Sequence, residues 1–540
     1  MNAVQTILLG DLSGVQDFLF DVAAEGGGQA RRLRARSLFI SLVAEVAALR
    51  LSEAVGWGRS QLVFSAAGKF LLAGPALPEA ARDRARLEAV EISRWLFTET
   101  GAALRFALAI HGLVNGQPLP HAYDHAQQAL QRAKWRPWSD LLGQDPAWPA
   151  AALVLPPISP PCDLCRRRPG RHTERDDDDT ERLLCARCHQ DGELGRRLPT
   201  ARWLELHAPP PPDAMDLAGF GLRVTNANRP APDARFVFAL THQYPVTDGR
   251  IVPRRLARHI PRHPDNQPVE FKDLGARATG APLLGVLKLD ADNLGAAFRH
   301  AAQGAANLDG VKRLSERLDD FFARQLDDLL ARPPWSDLYM VFSGGDDLLL
   351  VGPWNVAFDF AGHVQQLFAR AFARDGLTLS GGLALVKPTF PIRSGADQAD
   401  ALLEQAKTEP ALGATVPKDQ MAAFGQVWKW SDHATVVNTA RRLAEWVRQD
   451  LMPRGWLHTL LDLAEARNRD AAAPVTARLA YHIGRNYPPS HADGARGELR
   501  RWANDLLADF DAGQRAETRL LPAILRHALT ATRSTSRDEP

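Results

Sequence analysis

The clearest pattern of apolar and polar positions lies in the second half of the chain. Residues 283–289 are a nearly unbroken apolar run, which predicts a strand covered on both faces. Across 294–332, Val311, Leu314, Leu318, Phe322, Leu326 and Leu329 recur every three or four residues, the period of a helix with one buried face. Pro333 and Pro334 end it. Two short apolar runs follow, 338–342 and 348–351, joined by Ser343-Gly344-Gly345-Asp346-Asp347, which is a hairpin signal. Residues 355–374 read as helix, 377–387 as strand and 396–408 as helix.

The same pattern occurs earlier in the chain. VFSAAGKFLLAGP at 63–75 and VFSGGDDLLLVGP at 341–353 share seven of thirteen positions. Each is preceded by an apolar run ending in an Asp: ILLGDLSGVQDFLF at 7–20 and LLGVLKLDADNLGAAF at 283–298. Downstream, AQQALQRAK at 126–134 matches ADALLEQAK at 399–407 at four of nine positions. Two homologous modules therefore occupy 1–145 and 276–425. Their order, β-α-β-β-α-β and then a helix, is the ferredoxin-like split βαβ unit, or palm, and that fold alone specifies no activity. Residues 146–275, with PPISPP at 156–161 and four prolines at 209–212, read as irregular with short strands. Residues 426–540 show helical periods with Arg-rich faces and end in RSTSRDEP, a stretch expected to fray. The fold class expected is a multidomain α+β chain: two ferredoxin-like palms, a zinc-binding insertion and a C-terminal helical domain.

Composition narrows this little. The 540 residues are 45% hydrophobic and 24% charged, with 65 Lys+Arg against 63 Asp+Glu, which excludes a fully disordered, collagenous or disulfide-scaffold chain. No apolar run approaches the ~20 residues that span a bilayer. The N-terminus lacks a basic n-region and meets Asp11 early, so a cytoplasmic, membrane-free location is the expectation. Arg31, Arg32, Arg34 and Arg36 read as a solvated basic face, and Asp176 to Asp179 as an acidic loop.

The chemistry concentrates at the second hairpin. In the expected fold Asp290, ending the first strand, lies beside Asp346 and Asp347. Close carboxylates repel by ~4 kcal/mol per pair at 4 Å and an effective dielectric of ~20, so such a cluster calls for cations. Carboxylates with open water positions suit two Mg²⁺ or Mn²⁺ ions and an in-line phosphoryl displacement. Ser343, Gly344 and Gly345 would let a triphosphate approach the backbone. The turn Asn293-Leu294-Gly295 opens a helix and offers N–H groups to phosphate. Lys407 would neutralise a phosphate, and Asp292 reads as a helix cap. The first module has Ala66-Ala67-Gly68-Lys69 in place of Gly-Gly-Asp-Asp. With only Asp11 left beside a lysine, it is not expected to catalyse. It is either a structural partner or a nucleotide holder through Ser13, Gly14 and Lys69. Cys162-x-x-Cys165 and Cys185-x-x-Cys188 fit a closed, structural Zn²⁺ site, with His172 and His189 as bystanders.

These residues together resemble the large subunit of type III CRISPR effector complexes, the Cas-ten family in its Csm or Cmr forms. The resemblance rests on GDLSGVQDFLF, RRLRARSLF, the paired CxxC motifs, LKLDADNLG and FSGGDDLLLVGP, in the family's order along nearly the whole chain. It implies a target-RNA-activated nucleotidyltransferase that converts ATP to cyclic oligoadenylate or related adenylated messengers for antiviral defence. Two facing palms would each bind one ATP, and a 3′-hydroxyl would attack an α-phosphate. Asp290, Asp346 and Asp347 would hold the metals, and the Ser13–Gly14 turn with the hairpin from Ser65 through Gly68 to Lys69 would contact the acceptor nucleotide. The implied partners are guide RNA, target RNA, and backbone and small helical subunits that dock on the C-terminal domain. Many members carry an HD nuclease; no His-Asp dipeptide occurs here, so no DNase activity is expected. The competing readings are a free-standing nucleotide cyclase, disfavoured by the altered first module, and an idle scaffold, disfavoured by the intact carboxylates.

Overall fold

The computed structural model describes residues 4–21, 28–66, 68–113, 118–139, 141, 158–175, 180–240, 250–254, 256–302, 308–469, 475–487 and 494–533. The acidic run Asp176 to Asp179, Ala67 and most of the terminal RSTSRDEP lie outside them.

The first module comprises β1 (Thr6–Ser13), α1 (Gln29–Ala54), β2 (Leu62–Ala66), β3 (Lys69–Gly74), α2 (Glu79–Thr100), β4 (Arg105–Gly112) and α3 (Leu119–Lys134). Its antiparallel sheet has the order β2-β3-β1-β4. Along β1 the side chains alternate. Ile7 and Leu9 pack with α3, while Leu8 and Leu12 pack with α1 and α2. Burial on both faces is why the strand reads as an apolar run.

The connecting region is more ordered than its prolines suggest. It holds the hairpin β5 (His172–Arg175) and β6 (Glu181–Leu184), then α4 (Ala186–Arg197). A five-stranded sheet follows, from β7 (Trp203–His207), β8 (Met215–Leu217), β9 (Phe220–Thr225), β10 (Phe236–Ala239) and β11 (Ile251–Pro253), in the order β11-β10-β7-β9-β8. The four prolines at 209–212 fall in the β7–β8 connection, where no ladder N–H is required.

The second module comprises β12 (Leu284–Asp292), α5 (Leu294–Ala301), α6 (Asp309–Asp319), β13 (Tyr339–Gly344), β14 (Asp347–Pro353), α7 (Trp354–Phe372), β15 (Thr378–Val386) and α8 (Ile392–Thr408). Helix α6 continues through a π-helical stretch, Asp320–Gln325, into Leu326–Leu330. The sheet order β13-β14-β12-β15 reproduces that of the first module. It is extended by β16 (Gln420–Ala423), parallel to β15, and β17 (Gln426–Lys429). Strand β17 falls at the start of 426–540, the stretch expected to be helical, and β16 just before it. They are too short to declare a period, and their buried side chains pair with the sheet instead. Helices α9 (Trp430–Arg448), α10 (Arg454–Arg469), α11 (Val475–Asn486), α12 (Gly494–Asp509) and α13 (Leu521–Ala531) complete the chain. No helix among the described residues is long and apolar enough to cross a membrane.

The modules interlock. Helix α1 packs against β13, and α6 against β2, so each module's long helix supports the other's hairpin. Phe64 and Phe298 stack across the seam at 5.7 Å. The arginines of α1 are not a solvated face. Arg32, Arg34 and Arg36 are 2%, 5% and 2% exposed. They reach Glu174, the Gly195 carbonyl and Asp191, at 2.8, 2.8 and 2.9 Å. Charge is buried here because each guanidinium meets fixed acceptors.

Candidate functional site

Strand register fixes the site. Asp290 lies opposite Asp347 across β12 and β14. Asp346 sits in the turn, where its carbonyl accepts from the Ala291 N–H. Asp290 also accepts from the ammonium of Lys407 on α8. Lost hydration raises the pKa of Asp290, and Lys407 opposes the rise. Asp346 is pushed up to about 6, by burial first and then by Asp290. Asp347 is pushed well up by burial, then by Asp346 and Asp290. Asp290 raises Asp346, and both raise Asp347, while Lys407, Lys288 and Lys69 oppose the rise; buried carboxylates pushed up in this way fit divalent cations. Their oxygens are nevertheless not gathered: among the described residues, the group whose ligand atoms all lie within 4.8 Å of one another is the four cysteines. The expected tight carboxylate cluster is not formed, and Asp290 is paired with Lys407 instead.

Asp292 is not a helix cap. It is 1% exposed and accepts from Thr378 Oγ1 (2.9 Å), Ser380 Oγ (2.9 Å) and the Asp419 N–H (3.0 Å). It thereby ties β12 to β15 and to the turn before β16. Asn293 precedes α5 with φ of 62°, and its side-chain oxygen accepts from Lys418 at 2.8 Å. Gly295 stands in the first turn of that helix. The Ser343 hydroxyl donates to the Phe322 carbonyl at 2.7 Å. That carbonyl lies in the π-helical stretch, where the i→i−4 ladder is broken and an outside donor is useful.

In the first module the register is the same: Asp11 lies opposite Lys69, as Asp290 lies opposite Asp347. Lys134 donates to Asp11 at 2.6 Å, the counterpart of Lys407 and Asp290. Lys69 donates to Gln127 at 3.0 Å, and Gln127 to the Tyr123 hydroxyl at 2.6 Å. Burial lowers the pKa of Lys69, while Asp11 and, across the seam, Asp346 support its charge. Ser13 lines a small cavity with Arg105, Lys134 and Arg136. Gly14 has φ of 81°, and a Cβ there would lie 2.1 Å from the Ala103 carbonyl, so backbone packing demands the glycine.

The two hairpins share a cavity of about 1250 Å³. Ser65 and Ala66 line it from one side and Ser343, Gly344 and Gly345 from the other. Asp290, Asp346 and Asp347 lie outside its lining, as do Ser13, Gly14, Gly68, Lys69, Asn293, Gly295 and Lys407. Arg254 of the segment following β11 and Lys312 of α6 also line it, and sequence spacing did not single out either. Lys134 was legible: the 126–134 and 399–407 segments align it with Lys407.

The four-cysteine cluster joins two loops. Cys185 caps α4, accepting from the Cys188 N–H at 3.4 Å. Hydrogen bonds from Cys165, Cys185 and Cys188 hold the Cys162 thiol far below its usual range. Four convergent thiols suit a tetrahedral metal such as zinc. His172 and His189 stack on each other at 4.9 Å, outside the cluster.

Fold and site together define a palm-domain protein whose hairpin carries the acidic residues. Residues 283–415 match the family model "Cas10/Cmr2, second palm domain" and residues 4–145 match "Csm1 subunit domain B". The chain is similar to "CRISPR system single-strand-specific deoxyribonuclease Cas10/Csm1 (subtype III-A)" of Thermococcus onnurineus, 25% identical over 89% of this chain and 65% of that protein. The protein of the same name from Mycobacterium tuberculosis is 25% identical, over 92% of this chain and 63% of its own length. The chain thus spans just under two thirds of these curated relatives. Among solved structures, a Csm1–Csm4 subcomplex of the type III-A Csm interference complex aligns with a TM-score of 0.73 at 20% identity, over 98% of this chain and 70% of that one. A Csm1–Csm4 cassette in complex with cA4 aligns with a TM-score of 0.72 at 19% identity, over the same shares of both chains. The chain belongs to the Cas10/Csm1 family of large subunits of type III-A CRISPR systems.

Proposed function

We propose that this chain is the nucleotidyltransferase of a type III effector, joining ATP into cyclic oligoadenylate messengers when target RNA pairs with the guide. The observation that carries the reading is the pair of hairpins facing one cavity of about 1250 Å³, one rich in carboxylate and the other without it. Asp290, Asp346 and Asp347 would hold two Mg²⁺ or Mn²⁺ ions, which would activate the attacking hydroxyl and neutralise the leaving pyrophosphate. Lys407 pairs with Asp290 and favours its ionised form against burial. The backbone of Gly344 and Gly345 leaves room for a triphosphate beside the turn. The first module, read as a second palm, would present the acceptor nucleotide. Its 3′-oxygen would bond to the α-phosphorus as the α–β bridging bond breaks and pyrophosphate departs. The four cysteines would hold one structural zinc. The domain division proposed is 1–145, 146–275, 276–425 and 426–540. Relatives crystallised as Csm1–Csm4 subcomplexes support a backbone-subunit partner, with small helical subunits on the C-terminal helices.

The test is mass spectrometry of products from the reconstituted complex with guide RNA, matched target RNA, ATP and Mg²⁺. Adenylate products should form and fall at least ~100-fold in the Asp346→Ala/Asp347→Ala variant, with assembly intact. No product from an intact, RNA-bound wild-type complex would overturn the reading.

A further inference from the structure

Four thiolates around one divalent cation leave an excess of negative charge, and in a buried site that excess calls for a cation nearby. Here Cys162, Cys185 and Cys188 are buried. The cavity that Cys165, Cys185 and Cys188 share with Arg36 is about 10 Å³, too small to admit bulk water as a screen. The other arginines lining it are committed to carboxylates. Arg187 pairs with Asp191 and Glu99, Arg167 with Asp21, and Arg168 with Glu99. Arg36 is different. It comes from α1 of the first module, outside the two loops that carry the cysteines, and its Nη2 donates to the Cys188 sulfur at 3.4 Å. Its other donors fix it there: Nε on Asp191 at 2.9 Å, and Nη1 on the Phe18 and Asp21 carbonyls at 2.7 and 2.8 Å. The two helices lie close enough to set this reach, since a Cβ at Gly195 of α4 would fall 1.9 Å from the Arg31 carbonyl of α1.

We infer that Arg36 is an outer-sphere residue of the zinc site: its guanidinium hydrogen-bonds the Cys188 thiolate, raises zinc affinity and ties metal occupancy to the seating of α1. This rests on the zinc reading above and adds a residue from another module to that site. A charge-assisted N–H···S bond draws electron density from the sulfur and offsets part of the charge of the thiolates. Asp191 positions the guanidinium, and the carbonyls of the turn before α1 hold its far side. The coupling is reciprocal: what α1 contributes to zinc binding, zinc returns to α1. Loss of the metal would therefore be felt in the first module as well as in the cysteine loops.

The test uses the full chain loaded with Zn²⁺ or Co²⁺. Arg36→Met should weaken zinc about tenfold in competition with a chromophoric chelator. It should also move the thiolate-to-cobalt charge-transfer band to longer wavelength, because a sulfur without its donor gives up an electron more readily. Arg34→Met is the control. Arg34 lies on the same helix and reaches α4 through the Gly195 carbonyl, so its loss should leave the band in place and zinc affinity within about twofold. In the wild type, which needs no variant to fold, zinc removal should speed amide exchange in 18–21 and along α1 as well as in the cysteine loops. A band and affinity unmoved by Arg36→Met, equal effects from Arg34→Met, or faster exchange confined to 158–197 overturns the inference and leaves the zinc reading standing. A chain that binds neither Zn²⁺ nor Co²⁺ overturns the two together.

Discussion

Gly344 and Gly345 are neighbours under different constraints. Gly345 has φ of 71°, where a side chain is strained, whereas a Cβ on Gly344 would meet nothing within 4 Å. Gly345→Ala should therefore cost about 1–2 kcal/mol in stability. Gly344→Ala should melt like the wild type yet bind nucleotide poorly, because the added methyl enters the shared cavity; calorimetry and a thermal melt on the same samples check both. Sequence reading placed these glycines, Asp346 and Asp347 on one hairpin, because a motif of special residues between two apolar runs has few other structures. It misassigned Asp292. An Asp at a strand-to-helix junction usually caps, and nothing local reveals that Thr378 and Ser380, on a strand more than eighty residues away, will claim its oxygens.

Helix α1 is the element whose role the sequence concealed most. Its arginines look solvated in a string because the acceptors are far along the chain: Asp191 is 155 residues from Arg36. In the fold, Arg36 also donates to the Phe18 and Asp21 carbonyls and to the Cys188 sulfur. Arg187 supports the same Asp191 and lies over the Phe39 ring at 3.9 Å. Arg36→Met should cost roughly 3 kcal/mol or more in urea unfolding, since it strips a partner from a buried carboxylate. Arg36→Lys should rescue little, because one ammonium cannot span four acceptors. The cysteine spacing was legible because metal ligands recur locally. The five-stranded sheet beside it was not, because short strands of three to six residues carry too little alternation. The π-helical stretch of α6 was equally silent, since its apolar positions keep the ordinary helical spacing.

At the scale of the whole molecule, the second module and the C-terminal helices meet in an aromatic seam. His527 packs on Trp354, Phe358 and Phe424, and His433 on Phe358 and Trp430. Burial lowers the pKa of His433 to about 4, and burial, aided by Arg441 and His433, lowers that of His527 to about 3. Unfolded histidine titrates near 6.5. Between that value and the folded ones the unfolded chain binds the extra protons. Stability is therefore full above about pH 6.5 and falls on acidification, by up to about 1.4 kcal/mol per pH unit for each ring. Melting at pH 5 should lie well below melting at pH 7.5, and His527→Phe should flatten the difference. The duplicated architecture itself was legible, since thirteen aligned residues around the hairpin repeat too closely for chance. That the modules exchange helices was not, because a helix's sequence shows how wide its buried face is but not whose surface covers it. The exchange also sets a timetable for synthesis. Helix α1 ends at Ala54 and its cover, β13, begins at Tyr339. At about 5–20 residues per second a ribosome reaches that strand roughly 15–60 s later. Throughout that interval the nascent first module holds an uncovered apolar surface, which makes it a natural client for chaperones until the second module's hairpin emerges to close it.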